Sequence, residues 1–294
     1  MQFKDSLANF NISFTQQVQD LFDQQPESVS PKLLSAMRYS VENGGKRIRP
    51  YLMALIAETI GVNSDKILPA ALALECIHSY SLVHDDLPAM DDDSLRRGKP
   101  TCHIQFDEAT AILAGDALQA LAFSLISNAD ISDNVKVYWT QCLAKHSGYL
   151  GMCGGQSLDL IAENEQVDLA QLEKIHSLKT GALLKCAANM ACAAKPELKL
   201  STYQKFDRFT ALIGLAFQIQ DDILDVVSTT ELLGKPQGSD EKLAKSTYPS
   251  LLGLEGAKQK AQQVYQSALE QLAEVPYNTD SLAAFAEFII NRKY

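Results

Sequence analysis

Residues 67–93 read ILPAALALECIHSYSLVHDDLPAMDDD, a long apolar segment that ends in five aspartates within nine residues. Apolar side chains recur here at helical spacing, so we expect a helix from Pro69 to the vicinity of Asp85. Pro88 cannot donate the hydrogen bond to residue 84 and clashes with that turn, so the helix should break inside the acidic run. The segment therefore predicts an apolar helix that carries a carboxylate cluster at its end.

Helical spacing of apolar residues extends along most of the chain, and strand patterns are almost absent. Residues 135–139 alternate, but that run is short and isolated. No repeat and no long linker divides the sequence. We therefore expect an all-α fold with one domain over residues 1–294. The expected helices are 33–41, 50–60, 69–85, 109–127, 135–150, 169–193, 203–227, 255–273 and 280–291.

Composition excludes several classes of protein. An apolar share of 46% argues against disorder, and a net charge of −10 argues against nonspecific nucleic-acid or anionic-membrane binding. The six cysteines form no C-x-x-C pair, which favours free buried thiols over a zinc site or a disulfide framework. The sequence has no signal-like start and no apolar run of about 18 residues, so we expect a cytoplasmic location.

A second acidic cluster, Asp221-Asp222-Ile223-Leu224-Asp225, also ends an apolar helical pattern. Asp221 and Asp225 lie four residues apart, so they share one face of a helix, together with Gln218. In the first cluster an unbroken helix would put Asp91 off the face of Asp85, so two residues should loop out to bring it back. Carboxylates grouped in this way suit a hard divalent cation such as Mg²⁺.

Cationic residues accompany the acidic clusters. Gly44-Gly45-Lys46-Arg47-Ile48-Arg49-Pro50 joins two glycines to three cations, which suits a diphosphate, although alone it would be read as a solvated turn. His78 lies on the face of Asp85, and Arg96-Arg97 follow the first cluster. The residues indicate a helical protein that binds Mg²⁺ and two phosphorylated molecules in apolar surroundings. Lys179, Lys235 and Lys245 would each be a surface lysine if considered alone. The spacing of Gly154–Asp159 indicates no chemical role for that segment.

These motifs resemble those of the trans-prenyl diphosphate synthases, most closely the bacterial farnesyl type. They occur in the family's order: Gly44–Pro50, Asp85 to Arg97, Gly154-Gly155-Gln156, Lys179-Thr180, and Phe217-Gln218 into Asp221–Asp225. The resemblance covers nearly the whole chain and implies a helical bundle of the isoprenoid synthase type with a central cavity. It also implies a homodimer and the condensation of isopentenyl diphosphate with dimethylallyl and geranyl diphosphates.

The resemblance implies a role for each motif residue. Three Mg²⁺ ions per active site would be held by Asp85, Asp86, Asp91, Asp221, Asp222 and Asp225, the second aspartate of each cluster being supportive. The allylic diphosphate would meet Arg96, Lys179, Lys235 and Lys245, while Thr180 and Gln218 stabilise the carbocation. Isopentenyl diphosphate would meet Lys46, Arg49, His78 and Arg97. Asp85, Asp91, Lys179, Thr180, Gln218 and Asp221 would be the catalytic set.

The expected product is the C15 diphosphate. Tyr80 lies five residues before Asp85, about 7–8 Å along the helix axis, where a ring would stop the growing chain, with Ser81 beside it. The alternatives are geranyl or geranylgeranyl diphosphate synthesis by the same chemistry, or a catalytically silent partner subunit. A class I terpene synthase would not need the basic motif at Gly44–Pro50.

Overall fold

A computed structural model describes residues 2–163, 165–227 and 246–292 of the chain. Helices dominate these residues, and their only strands are β1 (Leu95–Arg96) and β2 (Lys99–Pro100). The predicted all-α class is therefore confirmed. The helices are α1 (Gln2–Asp23), α2 (Pro31–Glu42), α3 (Ile48–Thr59), α4 (Ser64–Asp85), α5 (Cys102–Gln105), α6 (Glu108–Ser127), α7 (Asp133–Ser147), α8 (Met152–Ile161), α9 (Leu169–His176), α10 (Ala182–Ala193), α11 (Leu200–Val227), α12 (Tyr248–Ala273) and α13 (Asp280–Ile290), with a π-helical turn, Ser177–Gly181, between α9 and α10.

The predicted helices are present, with differences at a few places. Helices α1, α5 and α8 are absent from the prediction, and α8 contains Gly154 and Gly155, which are poor helix formers. The helix expected over 169–193 is interrupted by the π-helical turn. The helix expected from residue 255 begins earlier, as α12, and has a left-handed kink at Gly253 with φ of 73°. Tertiary packing decides these cases over local propensity.

The described chain divides into two compact units, each considered by itself. The first unit comprises Met1–Tyr51 and Ser64–Thr140, and the second comprises Leu52–Asn63 and Gln141–Tyr294. The first acidic cluster and the basic motif belong to the first unit. The second acidic cluster and the Lys179-Thr180 pair belong to the second. One domain over 1–294 stays a prediction.

In the first unit, α4 packs along α6, and most of α4 is buried. Both helices are long and apolar enough to cross a membrane by length and hydropathy, yet 67% of the apolar window of α4 is buried inside the protein. The apolar composition of α4 is therefore that of a core helix, whereas 39% of the apolar window of α6 is buried. The last turns of α4 pack with α2 and α6 through Ala36, Val83, Ala111 and Ala114. This packing fixes the helix end that carries Asp85.

In the second unit, α11 packs along α12. Their shared core includes Ile219 and Ile223 of α11 with Ala257 and Ala261 of α12. The small alanines allow the two helix axes to approach closely. The carboxyl end of α11, which carries the second acidic cluster, is thereby held on a rigid element.

Candidate active site

The first acidic cluster is a turn that replaces one turn of helix. Helix α4 ends at Asp85, and the backbone amide of Asp91 donates to the carbonyl of Asp85 at 2.9 Å, so five residues lie between them, two more than in a helical turn. In a helix that carbonyl would accept from the fourth residue onwards, whereas here it accepts from the sixth. The predicted helix break and two-residue loop are confirmed. Asp91 takes the backbone place that Asp225 has relative to Asp221.

The second aspartate of this cluster is used by the protein itself. The Asp86 carboxylate is buried, and Arg96 Nε donates to its two oxygens at 2.7 and 2.9 Å, while Arg96 Nη2 donates to Oδ1. Burial raises the pKa of Asp86, and the guanidinium opposes that rise. Asp93 lies 3.6 Å from the same guanidinium. Asp86 therefore anchors Arg96 and the hairpin that follows.

A two-residue turn between β1 and β2 positions Arg96 and Arg97. Its central residues, Arg97 and Gly98, have φ angles of 55° and 76°, the left-handed pair that a tight hairpin requires. An arginine in this region is under backbone strain, which occurs most often at functional sites. Arg97 Nη1 donates to the carbonyl of Gly44. The hairpin thus brings Arg97 to the glycine pair of the basic motif.

Gly45 makes room for this guanidinium. Its φ is 115°, and a Cβ on it would lie 2.6 Å from Cζ of Arg97. Arg49 Nη1 lies 3.2 Å from His78 Nε2, and because an arginine can only donate, that nitrogen accepts. Burial, then the charges of Arg49 and Arg97, hold the pKa of His78 well below its usual range. The structure therefore gathers Arg49, His78 and Arg97, with exposed Lys46 on the same segment.

Arg47, the remaining cation of the basic motif, points inward. Its φ is 48°, and its buried guanidinium pairs with buried Glu75 of α4. Nη2 also donates to the carbonyl of Val41 at 2.6 Å. Three cations in four residues look alike in the sequence, but this one ties the basic motif to α4. Such a pair strongly penalises the loss of either partner.

In the second unit, Lys179 and Thr180 lie in the π-helical turn. Such turns carry an extra residue that redirects side chains, and they are frequent at functional sites. Lys179 Nζ donates to Asp159 Oδ2 of α8 at 2.7 Å. A Cβ on Gly155 would lie 2.1 Å from the backbone nitrogen of Lys179. The Gly154–Asp159 segment, to which the sequence assigned no chemistry, therefore holds the turn.

In the second acidic cluster, as in the first, the second aspartate is buried and hydrogen-bonded within the protein. Asp222 is buried, and its Oδ2 accepts from the backbone amide of Tyr248 at 2.9 Å. Asp221 Oδ2 accepts from Gln218 Nε2 at 3.2 Å, so these two side chains share a helix face as predicted. Asp225 is buried on the same helix. In both clusters the second aspartate thus supports the fold, and the other carboxylates are oxygen donors that fit Mg²⁺.

Arg292, near the carboxyl end of the chain, is a site residue that the sequence did not indicate. Its Nη2 lies 2.6 Å from Asp221 Oδ1 and donates to the carbonyl of Phe217 at 2.6 Å. The guanidinium also lies 3.7 Å from the centre of the Phe217 ring. Burial lowers the pKa of Arg292, which Asp221 opposes. No local pattern distinguishes Arg292 from the other polar residues of its segment.

The predicted chain-length residues lie within α4. Tyr80 is buried and meets the ring of His84 edge to face, with 5.8 Å between ring centres. Ser81 Oγ donates to the carbonyl of His78 at 2.8 Å. Their role in product length stays a prediction. Lys235 and Lys245 lie outside the described residues.

Comparison with known proteins identifies the family. The family model described as polyprenyl synthetase matches residues 30–282. A farnesyl diphosphate synthase of Haemophilus influenzae is 53% identical over 269 residues, which cover 91% of each chain. A geranyltransferase structure from Legionella pneumophila has a TM-score of 0.88 at 36% identity and covers 99% of this chain and 98% of its own.

A Helicobacter pylori geranyltransferase, complexed with magnesium and isoprenyl diphosphate, has a TM-score of 0.83 at 34% identity and covers 96% of each chain. The resemblance drawn from the motifs is confirmed by these matches. The enzyme class that these relatives share is prenyltransferase, and this chain is therefore a prenyltransferase. The chain belongs to the polyprenyl synthetase family.

Proposed function

We propose that this chain is a farnesyl diphosphate synthase, which condenses isopentenyl diphosphate with dimethylallyl diphosphate and then with geranyl diphosphate. The observation that carries this function is the 53% identity to a farnesyl diphosphate synthase over 91% of both chains. The residues 1–294 would act as one catalytic domain, since neither compact unit contains both acidic clusters.

Mg²⁺ is the proposed cofactor, with three ions per active site. Asp85 and Asp91 would hold it from the first cluster, and Asp221 and Asp225 from the second, with Asp86 and Asp222 as the supporting carboxylates. The relative that binds magnesium together with an isoprenyl diphosphate supports this cofactor. When bound, Mg²⁺ supplies positive charge to the oxygens of a departing diphosphate.

The chain's own cations would bind the two substrates at different places. Lys179 in the π-helical turn and Arg96 beside Asp86 would contact the allylic diphosphate, with Lys235 and Lys245 as further contacts. The group formed by Arg49, His78, Arg97 and Lys46 would bind isopentenyl diphosphate. Because His78 is neutral in the fold and its Nε2 already accepts from Arg49, it orients that guanidinium and adds no charge of its own.

The condensation replaces the allylic carbon–oxygen bond by a carbon–carbon bond, and the electron pair of the lost carbon–hydrogen bond forms a new double bond. The allylic carbon–oxygen bond breaks and its electron pair leaves with the diphosphate. The isopentenyl double bond then forms a carbon–carbon bond to the allylic cation, and the departing diphosphate accepts the proton that is lost. Thr180 Oγ1 and Gln218 Oε1 would stabilise the cation. The amide nitrogen of Gln218 donates to Asp221, which orients its oxygen away from the acidic cluster.

We also propose a homodimer and a cytoplasmic location. The exposed face of α6 carries Ile112 at 45% and Leu113 at 55% exposure, and a second copy of this chain would cover these apolar side chains. Light scattering should report a mass of two chains for the wild type. Leu113→Glu should shift that mass towards one chain, and cell fractionation tests the location.

A turnover assay tests the proposed function. With geranyl and isopentenyl diphosphates, the enzyme should release diphosphate and form a C15 product only in the presence of Mg²⁺. Asp85→Asn and Asp221→Asn should each reduce turnover by about 10²–10³-fold. Asp92→Asn is the matched control, because Asp92 is exposed with φ of 51° and asparagine tolerates that conformation.

Calorimetric titration with Mg²⁺ and a diphosphate analogue provides a readout besides activity. Both aspartate variants should bind the pair more weakly than the wild type, and the Asp92 control should bind it equally well. No diphosphate release with either allylic substrate would instead favour a catalytically silent partner subunit. A C10 or C20 main product would replace the farnesyl assignment by the corresponding synthase.

A further inference from the structure

Two cysteines that are far apart in the sequence meet inside the second unit. Cys142 and His146 lie four residues apart on α7, and Cys186 and Met190 lie four residues apart on α10, so each pair shares one helix face. Cys142 and Cys186 are buried, and His146 is partly exposed. The acidic clusters and the substrate-binding cations do not use these four side chains.

The ligand atoms of this cluster converge. Cys142 Sγ lies 3.8 Å from Cys186 Sγ and 3.6 Å from His146 Nδ1, and the three ligand atoms lie within 4.8 Å of one another. Cys186 Sγ lies 3.5 Å from the thioether sulfur of Met190. The contact with Cys186, supported by His146, lowers the pKa of Cys142, whereas burial and the same contact raise the pKa of Cys186 well above its usual range. Cys142 is therefore the thiol that more readily becomes the thiolate, the form that binds metals.

The two distances from Cys142 Sγ to the other ligand atoms match the edges of a tetrahedron of ligands around one metal ion. Bonds of about 2.3 Å to sulfur and about 2.0–2.1 Å to nitrogen place two sulfurs about 3.8 Å apart and a sulfur and a nitrogen about 3.6 Å apart. The two distances that involve Cys142 have these values. An ion of this size could therefore sit between α7 and α10 once Cys186 Sγ and His146 Nδ1, which lie within 4.8 Å of one another, both reach it.

We propose that Cys142, His146 and Cys186 form a binding site for a thiophilic metal ion, Zn²⁺ or Cu⁺, that joins α7 to α10. Two thiolates and an imidazole are the ligands that Zn²⁺ and Cu⁺ share. The Met190 thioether beside Cys186 is a fourth donor that Cu⁺ accepts more readily than Zn²⁺ does. Mg²⁺ prefers oxygen ligands, so it does not compete for this site.

Protons and bonds rearrange within the cluster when the ion binds. His146 Nδ1 lies 2.8 Å from the carbonyl of Cys142, and a carbonyl only accepts, so this nitrogen carries the proton. When the ion binds Nδ1, the imidazole carries its one proton on Nε2 instead, the thiol proton of Cys186 leaves to solvent, and no oxidation takes place. The partly exposed imidazole is the entry path for the ion.

Cobalt is the spectroscopic probe for the Zn²⁺ case. The reduced full-length protein, freed of metal by a chelator, should take up one Co²⁺ per chain in excess Mg²⁺. It should then show a thiolate-to-cobalt charge-transfer band and the visible bands of tetrahedral cobalt. Zn²⁺ should displace the cobalt and raise the thermal midpoint of unfolding. Cys142→Ser and Cys186→Ser should each lose the charge-transfer band, whereas Cys153→Ser, which removes an exposed thiol, should keep it.

Copper is tested in a parallel titration with Cu⁺ against a colorimetric chelator. If the site prefers Cu⁺, Met190→Leu should weaken Cu⁺ binding and leave Co²⁺ binding unchanged. If the site prefers Zn²⁺, Met190→Leu should change the binding of neither ion. Circular dichroism confirms that each variant is folded, and Cys142→Ala replaces Cys142→Ser if the serine variant unfolds. Absence of both signals in the folded wild type overturns the proposal, as does a cobalt spectrum that survives in both cysteine variants. A disulfide formed with peroxide in a protein that binds neither ion would also overturn it.

Discussion

Replacing Gly155 by alanine tests whether α8 positions the π-helical turn for catalysis. The new Cβ would lie 2.1 Å from the backbone nitrogen of Lys179 and 2.7 Å from the carbonyl carbon of Leu178. Ordinary contact begins at 3.4 Å, so α8 and the turn must separate by about 1.3 Å at this point. Both partners are backbone atoms, so no side-chain rotation relieves the clash.

The separation of α8 from the π-helical turn should displace Lys179 and Thr180, the two predicted catalytic residues of the turn. Moving Lys179 and Thr180 by about 1 Å relative to the substrate should lower kcat by about 10²-fold. The free energy of unfolding should fall by about 1–3 kcal/mol, because the contact between α8 and the turn is overpacked. Steady-state turnover with geranyl and isopentenyl diphosphates measures the first effect, and urea unfolding measures the second.

Gly256→Ala is the matched control in α12. Its Cβ would meet only the Cβ of Leu252, at 3.1 Å, and no backbone of another element. We expect activity close to that of the wild type. If Gly155→Ala lowers stability but leaves kcat within about threefold of the wild type, the turn does not position catalytic groups, and this reasoning is wrong.

Three further predictions concern the first unit and the buried histidine of α9. Glu75→Ala should lower the free energy of unfolding in urea by about 3–5 kcal/mol, because Arg47 stays buried without its carboxylate, and the R47M/E75L double variant should recover most of this loss. His176 has a pKa lowered from 6.5 to about 4 by burial, so below pH 6.5 the unfolded chain binds the proton and stability falls as the pH falls towards 4. The loss of stability between about pH 7 and pH 5 should be smaller in His176→Gln, and an equal loss in both proteins would contradict this assignment. Tyr80→Ala with Ser81 unchanged should lengthen the products seen by mass spectrometry, and an unchanged product spectrum would refute the role of the ring.

Features encoded within a few residues were predictable from the sequence. The apolar spacing of 67–85 predicts α4, and the missing amide hydrogen of Pro88 predicts where it ends. The four-residue spacing of Asp221 and Asp225 predicts a common face. Each of these depends on helix geometry and on chemistry carried by neighbouring residues. The predicted metal binding by the acidic clusters rests on the same short-range spacing.

Other features needed contacts between distant segments. The sequence offered three similar cations in Lys46, Arg47 and Arg49, and the left-handed backbone of Arg47 turns one of them to Glu75. Gly154 and Gly155 weaken a helix locally, yet α8 forms, and the missing side chain of Gly155 lets it lie against the π-helical turn. Arg292 lies 71 residues after Asp221, and no local pattern connects them.

By itself, the sequence determined that this protein is helical and where α4 ends, and it predicts which carboxylates and cations carry the chemistry. Only the tertiary structure decided which carboxylates accept hydrogen bonds from the protein itself. Asp86 accepts from Arg96, and Asp222 accepts from the backbone amide of Tyr248. The tertiary structure also brought Cys142 within 3.8 Å of Cys186, although 44 residues separate them. Helix periodicity and motif spacing are short-range properties of the chain, whereas burial and pairing depend on which helices pack together.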